Sequence, residues 1–79
     1  MRGLIKATHY YATQQARADW AQLVEYAYAN GHGSKVSDFR PSETAGHRMI
    51  DRSIDALMAA MGLTMTFAEW QARQQEAQP

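Results

Sequence analysis

The segment from Glu43 to Gly62, ETAGHRMIDRSIDALMAAMG, constrains the fold of this chain more than any other stretch. Ile50, Ile54, Leu57, Met58 and Met61 fall at i, i+4, i+7, i+8 and i+11, one stripe of a helix with 3.6 residues per turn. A stripe of that width has to be covered by other elements. Arg48, Asp51, Arg52 and Asp55 occupy the opposite side, where i+3 spacing brings each arginine within reach of an aspartate. Ser42, following Pro41, reads as the N-cap, and Gly62 stands where a left-handed residue ends a helix.

The partners of this helix lie on both sides of it. From Gln14 to Asn30, Trp20, Leu23, Val24 and Ala27 form a second apolar stripe, with Ala16 small enough to admit a neighbouring backbone and Gly31 as the terminator. After Gly62, Thr66 and Glu69 have capping-box spacing, and Met65 and Trp70 take the hydrophobic-staple positions. Phe67 and Trp70 would dock this third, short helix, which frays through Gln74, Gln75 and Gln78. Glu69 with Arg73, and Arg73 with Glu76, are its expected surface pairs.

Residues 1–12 support two patterns. Ile5, His9, Ala12, Ala16, Trp20, Leu23 and Ala27 follow helical spacing, which would extend the first helix back to about Leu4. Ile, Thr and Tyr within Leu4–Tyr11 equally suit an extended strand, with Thr13 capping the helix that follows. The segment Asn30–Pro41 reads as a long ordered loop anchored by Val36 and Phe39. The expected fold is therefore mainly α: a single three-helix domain with helices over about 14–30, 43–61 and 67–76. The strand alternative would make it α+β.

Composition narrows the functional classes. With 46% apolar and 20% charged residues the chain is too apolar to be disordered. Eight basic residues balance eight acidic ones. That balance lacks the clustered positive charge of a nucleic-acid or anionic-membrane binder, so neither partner is expected, while neutrality leaves a homo-oligomer open. The absence of cysteine removes disulfides and thiolate metal sites and points to a cytoplasmic protein. No stretch has the apolar core of a signal peptide or a membrane span.

Candidate chemistry is sparse. Glu43, His47 and Asp51 would lie down one helix face, a pattern that reads as an ion-pair ladder rather than a metal site, and His9 and His32 have no such company. Ser34, Ser37, Ser42 and Ser53 sit in no nucleophile-elbow context, and Asp51 and Asp55 are interleaved with arginines on a solvated face. Gly31-His32-Gly33-Ser34-Lys35 has the ingredients of a phosphate loop without its spacing and reads as a helix cap and turn. No catalytic residue, cofactor or metal is expected.

Two binding readings remain. Residues 54–73 could form a helix-turn-helix DNA-binding unit with Gly62 at the turn, but Met58 and Gln71 fit it poorly, and Glu69, Gln71, Arg73, Gln74 and Glu76 suit phosphates badly. The other reading is a non-enzymatic protein-interaction module, an inhibitor, adaptor or regulator of a larger protein partner. Tyr and Met are enriched in interface cores, and Tyr10, Tyr11, Tyr26 and Met49 lie off the best apolar stripes. With His32, Lys35 and Arg40 of the 31–41 loop they are the predicted partner-binding residues. In size and missing chemistry the chain is similar in general character to small phage or mobile-element proteins that act by steric contact, although no motif carries that likeness.

Overall fold

The computed structural model describes residues 2–77, with side chains from Thr8 onward. The described backbone forms four helices: α1 (Arg2–Ala29), α2 (Gly33–Phe39), α3 (His47–Ala60) and α4 (Phe67–Glu76). Gln78, expected in the fraying tail, lies outside the described residues.

Residues 4–11 belong to α1, so the helical pattern prevails over the extended one. Its 28 residues span about 42 Å at 1.5 Å per residue, close to the 44 Å long axis of a molecule measuring 44 × 31 × 18 Å. The radius of gyration, 13.6 Å, exceeds the roughly 11.6 Å of a compact chain this long, because one rod sets the long dimension.

The core is the meeting of the two expected stripes. Ala16, Trp20, Leu23 and Ala27 of α1 are buried against Ile50, Ile54, Leu57 and Met58 of α3. Val24 and Met61, at the stripe margins, are only partly buried. Trp70 of α4 closes the remaining side, with Phe67 at 5.4 Å between ring centres.

Both glycine stops act as expected. Gly31 and Gly62 each have φ +79°, and the amide nitrogens of the following residues, His32 and Leu63, donate to Ala27 O and Met58 O at 2.8 and 3.0 Å. These are the six-to-one bonds of a Schellman ending, available because glycine enters the left-handed region without a Cβ clash. The cap of α4 also forms: Glu69 N donates to Thr66 Oγ1 at 3.1 Å, and the hydroxyl donates in turn to Glu69 Oε1 at 3.2 Å.

Three expectations need correction. The 31–41 loop contains a fourth helix, α2, whose seven residues carry only one fully buried side chain, Val36. A helix this short is marginal alone and exists here because Val36, with Phe39 partly covered, packs into the cleft between α1 and α3. The central helix begins at His47, not Glu43, and its N-cap is Gly46, not Ser42. Residues 43–44 form a turn closed by Ala45 N donating to Ser42 O at 3.1 Å. The cause lies on α1. Arg17 Nη2 donates to Glu43 O at 2.6 Å and Ala45 O at 3.2 Å, and these bonds hold the two carbonyls to α1.

Finally, among the described residues no ion pair closes on α3 or α4. Arg48, Asp51, Arg52, Asp55, Glu69, Arg73 and Glu76 are all exposed and solvated. Such exposed pairs contribute little even where they form, so the helices do not depend on them.

Candidate functional site

The seven predicted contact residues fall into three places. Tyr10 and Tyr11 follow His9 on α1, and their rings meet edge to face at 5.5 Å. Met49, on the first turn of α3, lines the same shallow hollow of about 320 Å³ as His9, Gly46, His47 and Arg48. Tyr10 and Tyr11 are the next two residues of α1 after His9, and all three large side chains stay in water: Tyr10 is 60% exposed, Tyr11 69% and Met49 56%.

His32, Lys35 and Arg40 lie on and around α2. Lys35 Nζ is 2.8 Å from His32 Nδ1, a contact made possible by i+3 spacing across the start of that helix. Arg40 is exposed at its C-terminal end. Tyr28, the fourth exposed large hydrophobic side chain among the described residues, covers Gly33 so closely that a Cβ there would stand 2.4 Å from its ring.

Tyr26 departs from the expected placement. It is partly buried, its ring edge to face with Trp70 at 5.2 Å, because α4 folds back over this side of α1. Tyr26 and Trp70 form part of the wall of a groove of about 510 Å³ between α1 and α4 whose other sides are Gln22, Glu25, Asn30 and Gln74. Gln71 Nε2 donates to Gln22 Oε1 at 2.8 Å across this junction. The polar residue that fits a helix-turn-helix poorly thus has a role: it ties α4 to α1. The link between α3 and α4 spans residues 61–66, longer than the three- to four-residue turn of that motif.

The Glu43–His47–Asp51 face is not assembled, since Glu43 lies before α3. Among the described residues no group of three or more His, Cys, Asp or Glu side chains converges as a metal cage. His47 meets His9 instead, ring centres 5.6 Å apart and planes inclined at 40°. The signal for this pairing was present in the sequence. His9 is seven residues before Ala16 on the inner stripe of α1, which turns its ring toward α3 although it stays exposed.

Among the described residues no helix is long and apolar enough to cross a membrane. No protein-family model matches the chain, and comparisons with curated proteins and with solved structures give no match.

Proposed function

We propose that this chain is a non-enzymatic protein-interaction module, an inhibitor, adaptor or regulator that meets a larger protein through Tyr10, Tyr11 and Met49. The observation that carries this reading is the exposure of three large hydrophobic side chains, two following His9 on α1 and one on the first turn of α3: 60%, 69% and 56%. Each could have been a polar residue at no cost to the core. Tyr and Met supply broad contact area for few frozen torsions, and residues of this kind dominate interface energetics. The neutral overall charge favours a contact governed by shape and apolar area over one steered by long-range attraction.

The test is affinity capture from the native cell, quantified by mass spectrometry, with the wild-type chain and a Tyr10→Ala, Tyr11→Ala, Met49→Ala variant. A Ser37→Ala variant on exposed α2 serves as the control. The expected result is a protein captured in stoichiometric amount by the wild type and the control and lost from the triple variant. Equal recovery by all three would overturn the reading. Micromolar binding to duplex DNA that weakens steeply with salt would replace it with the nucleic-acid alternative.

A further inference from the structure

Two helical stripes line the groove of about 510 Å³ between α1 and α4. On α1, Gln22, Tyr26 and Ala29 recur at helical spacing beside the buried Leu23 and Ala27, with Glu25 on the same side; Trp70 and Gln74 stand at i and i+4 on α4. Glu25 is the only charged side chain of this lining, and it is exposed and without an ion partner among the described residues. The last turn of α1 reaches the groove at Tyr26 and Ala29 and carries no basic residue, so the negative end of the helix dipole has no cation of its own. The hydrogen-bonding groups are half used. Asn30 Nδ2 donates to Tyr26 O at 2.8 Å, which leaves its Oδ1 open to a donor, and Gln74 makes no hydrogen bond among the described residues. Trp70 is 2% exposed, yet its indole Nε1 has no acceptor among the described residues. We propose that this groove takes an arginine side chain of a protein partner, with the guanidinium against Glu25 and the Tyr26 ring.

Charge sets the first requirement. A carboxylate and a helix C-terminus repel phosphate and carboxylate groups and attract a cation. A metal ion is poorly served, since among the described residues no three His, Cys, Asp or Glu side chains converge and one carboxylate falls short of the oxygen set that Ca2+ gathers. Between organic cations the lining favours guanidinium over ammonium. Guanidinium is planar and weakly hydrated, and it presents up to about five N–H donors to Glu25, Asn30 Oδ1 and Gln74 while its face lies on an aromatic ring. An arginine within a chain also brings a backbone carbonyl, the acceptor that the Trp70 indole lacks. The groove has room for that carbonyl, because 510 Å³ is more than one side chain fills. This assignment goes beyond the contact at Tyr10, Tyr11 and Met49 and rests on the same reading of the chain as an interaction module.

The test is a proton–nitrogen correlation NMR titration of the full chain, at fixed ionic strength, with acetyl-Ala-Arg-Ala-amide and with its lysine and citrulline counterparts. Trp70→Phe identifies which of the two indole signals, from Trp20 and Trp70, belongs to Trp70. The arginine peptide should produce saturable shifts of the amides from Glu25 to Asn30 and move the Trp70 indole signal to lower field, with a Kd in the millimolar range. The lysine and citrulline peptides should bind about threefold or more weakly, and Glu25→Gln should weaken the arginine peptide by a similar factor. Asp38→Asn, on exposed α2, should bind as the wild type does. Both substituted positions are exposed, so both variants keep the fold, which circular dichroism checks. Equal affinity for the citrulline or lysine peptide, unchanged binding in Glu25→Gln, or an indole signal that stays in place would overturn the assignment. Shifts of the same residues with protein concentration alone would give the groove to a second copy of the chain and overturn it too. The titration needs no native partner, so it can fail while the capture experiment succeeds, and the reverse.

Discussion

Arg17 Nη2 and the carbonyl oxygen of Glu43 lie 2.6 Å apart across 26 residues of chain, and this bond fixes where the central helix starts. The same nitrogen reaches Ala45 O at 3.2 Å, so one side chain serves two carbonyls in the segment that joins α2 to α3. Ala45 is itself buried, which leaves its carbonyl little water to turn to. Arg17→Met keeps the aliphatic stem and removes the fork. It is expected to lower the free energy of unfolding by about 1–2 kcal/mol, since bonds to a charged donor carry more than neutral ones but Glu43 is exposed. Urea denaturation measures the loss. Amide exchange at Thr44–His47 should quicken more than at Leu57.

The same pair shows why the sequence was legible in some places and opaque in others. The stripe Ile50–Met58 specifies a helix and its buried face by local spacing alone, and both were found where expected. The start of that helix depends on a guanidinium 26 positions upstream, a contact that no window of neighbouring residues contains. The helix α2 escaped for a related reason: its stability resides in Val36 entering a cleft made by other elements, not in its own seven residues. For the candidate site, the exposure of Tyr10, Tyr11 and Met49 was readable because they lie off the apolar stripes. Tyr26 was not, since α4, which covers it, is positioned by the Schellman turn at Gly62 and the Gln22–Gln71 bond.

Trp70 packs between Tyr26 and Phe67 with its indole Nε1 buried and, among the described residues, without a hydrogen-bond partner. A buried donor left unmade costs about 1–3 kcal/mol, so part of the benefit of burying the ring is cancelled. Trp70→Phe removes that donor while losing volume, and the two effects oppose each other. It is expected to change stability by less than about 1.5 kcal/mol. Trp70→Ala, which loses the ring packing outright, should cost about 3–5 kcal/mol. Thermal melts of both variants give the comparison; a Phe variant as damaged as the Ala variant would show that the donor is satisfied in solution.

Gly62 and Gly33 resist substitution to different degrees and for different reasons. At Gly62, space is open around a new Cβ but φ is +79°, so alanine meets a backbone penalty of about 1–2 kcal/mol wherever its neighbours move. At Gly33 the backbone is helical and the obstacle is the ring of Tyr28, which is itself 62% exposed and free to swing into water. Gly33→Ala should therefore cost less than Gly62→Ala, and alanine's better helix propensity offsets part of it. Double substitution of Gly33 and Tyr28 by alanine should restore most of any loss, which a double-mutant cycle by urea denaturation measures.

Leu57 on α3 is fully buried, and so are Leu23 on α1 and Val36 on α2. Truncating such a side chain removes its transfer energy and leaves a cavity that a well-packed surround fills only partly, at a cost of about 2–5 kcal/mol. A 79-residue chain buries a smaller fraction of its surface than a large domain does, and its total stability is about 4–12 kcal/mol by the usual allowance per residue. Leu57→Ala thus removes a large share of what holds the fold together. The loss falls hardest on α2, which has no independent stability and depends on Val36 staying enclosed. The expected outcome is a partly unfolded population at 37 °C, seen as lost helical circular dichroism. Exchange protection should vanish from Gly33–Phe39 before it vanishes from the middle of α1; simultaneous loss throughout would mean that the seven-residue helix is bound into the cooperative core more tightly than one buried valine provides.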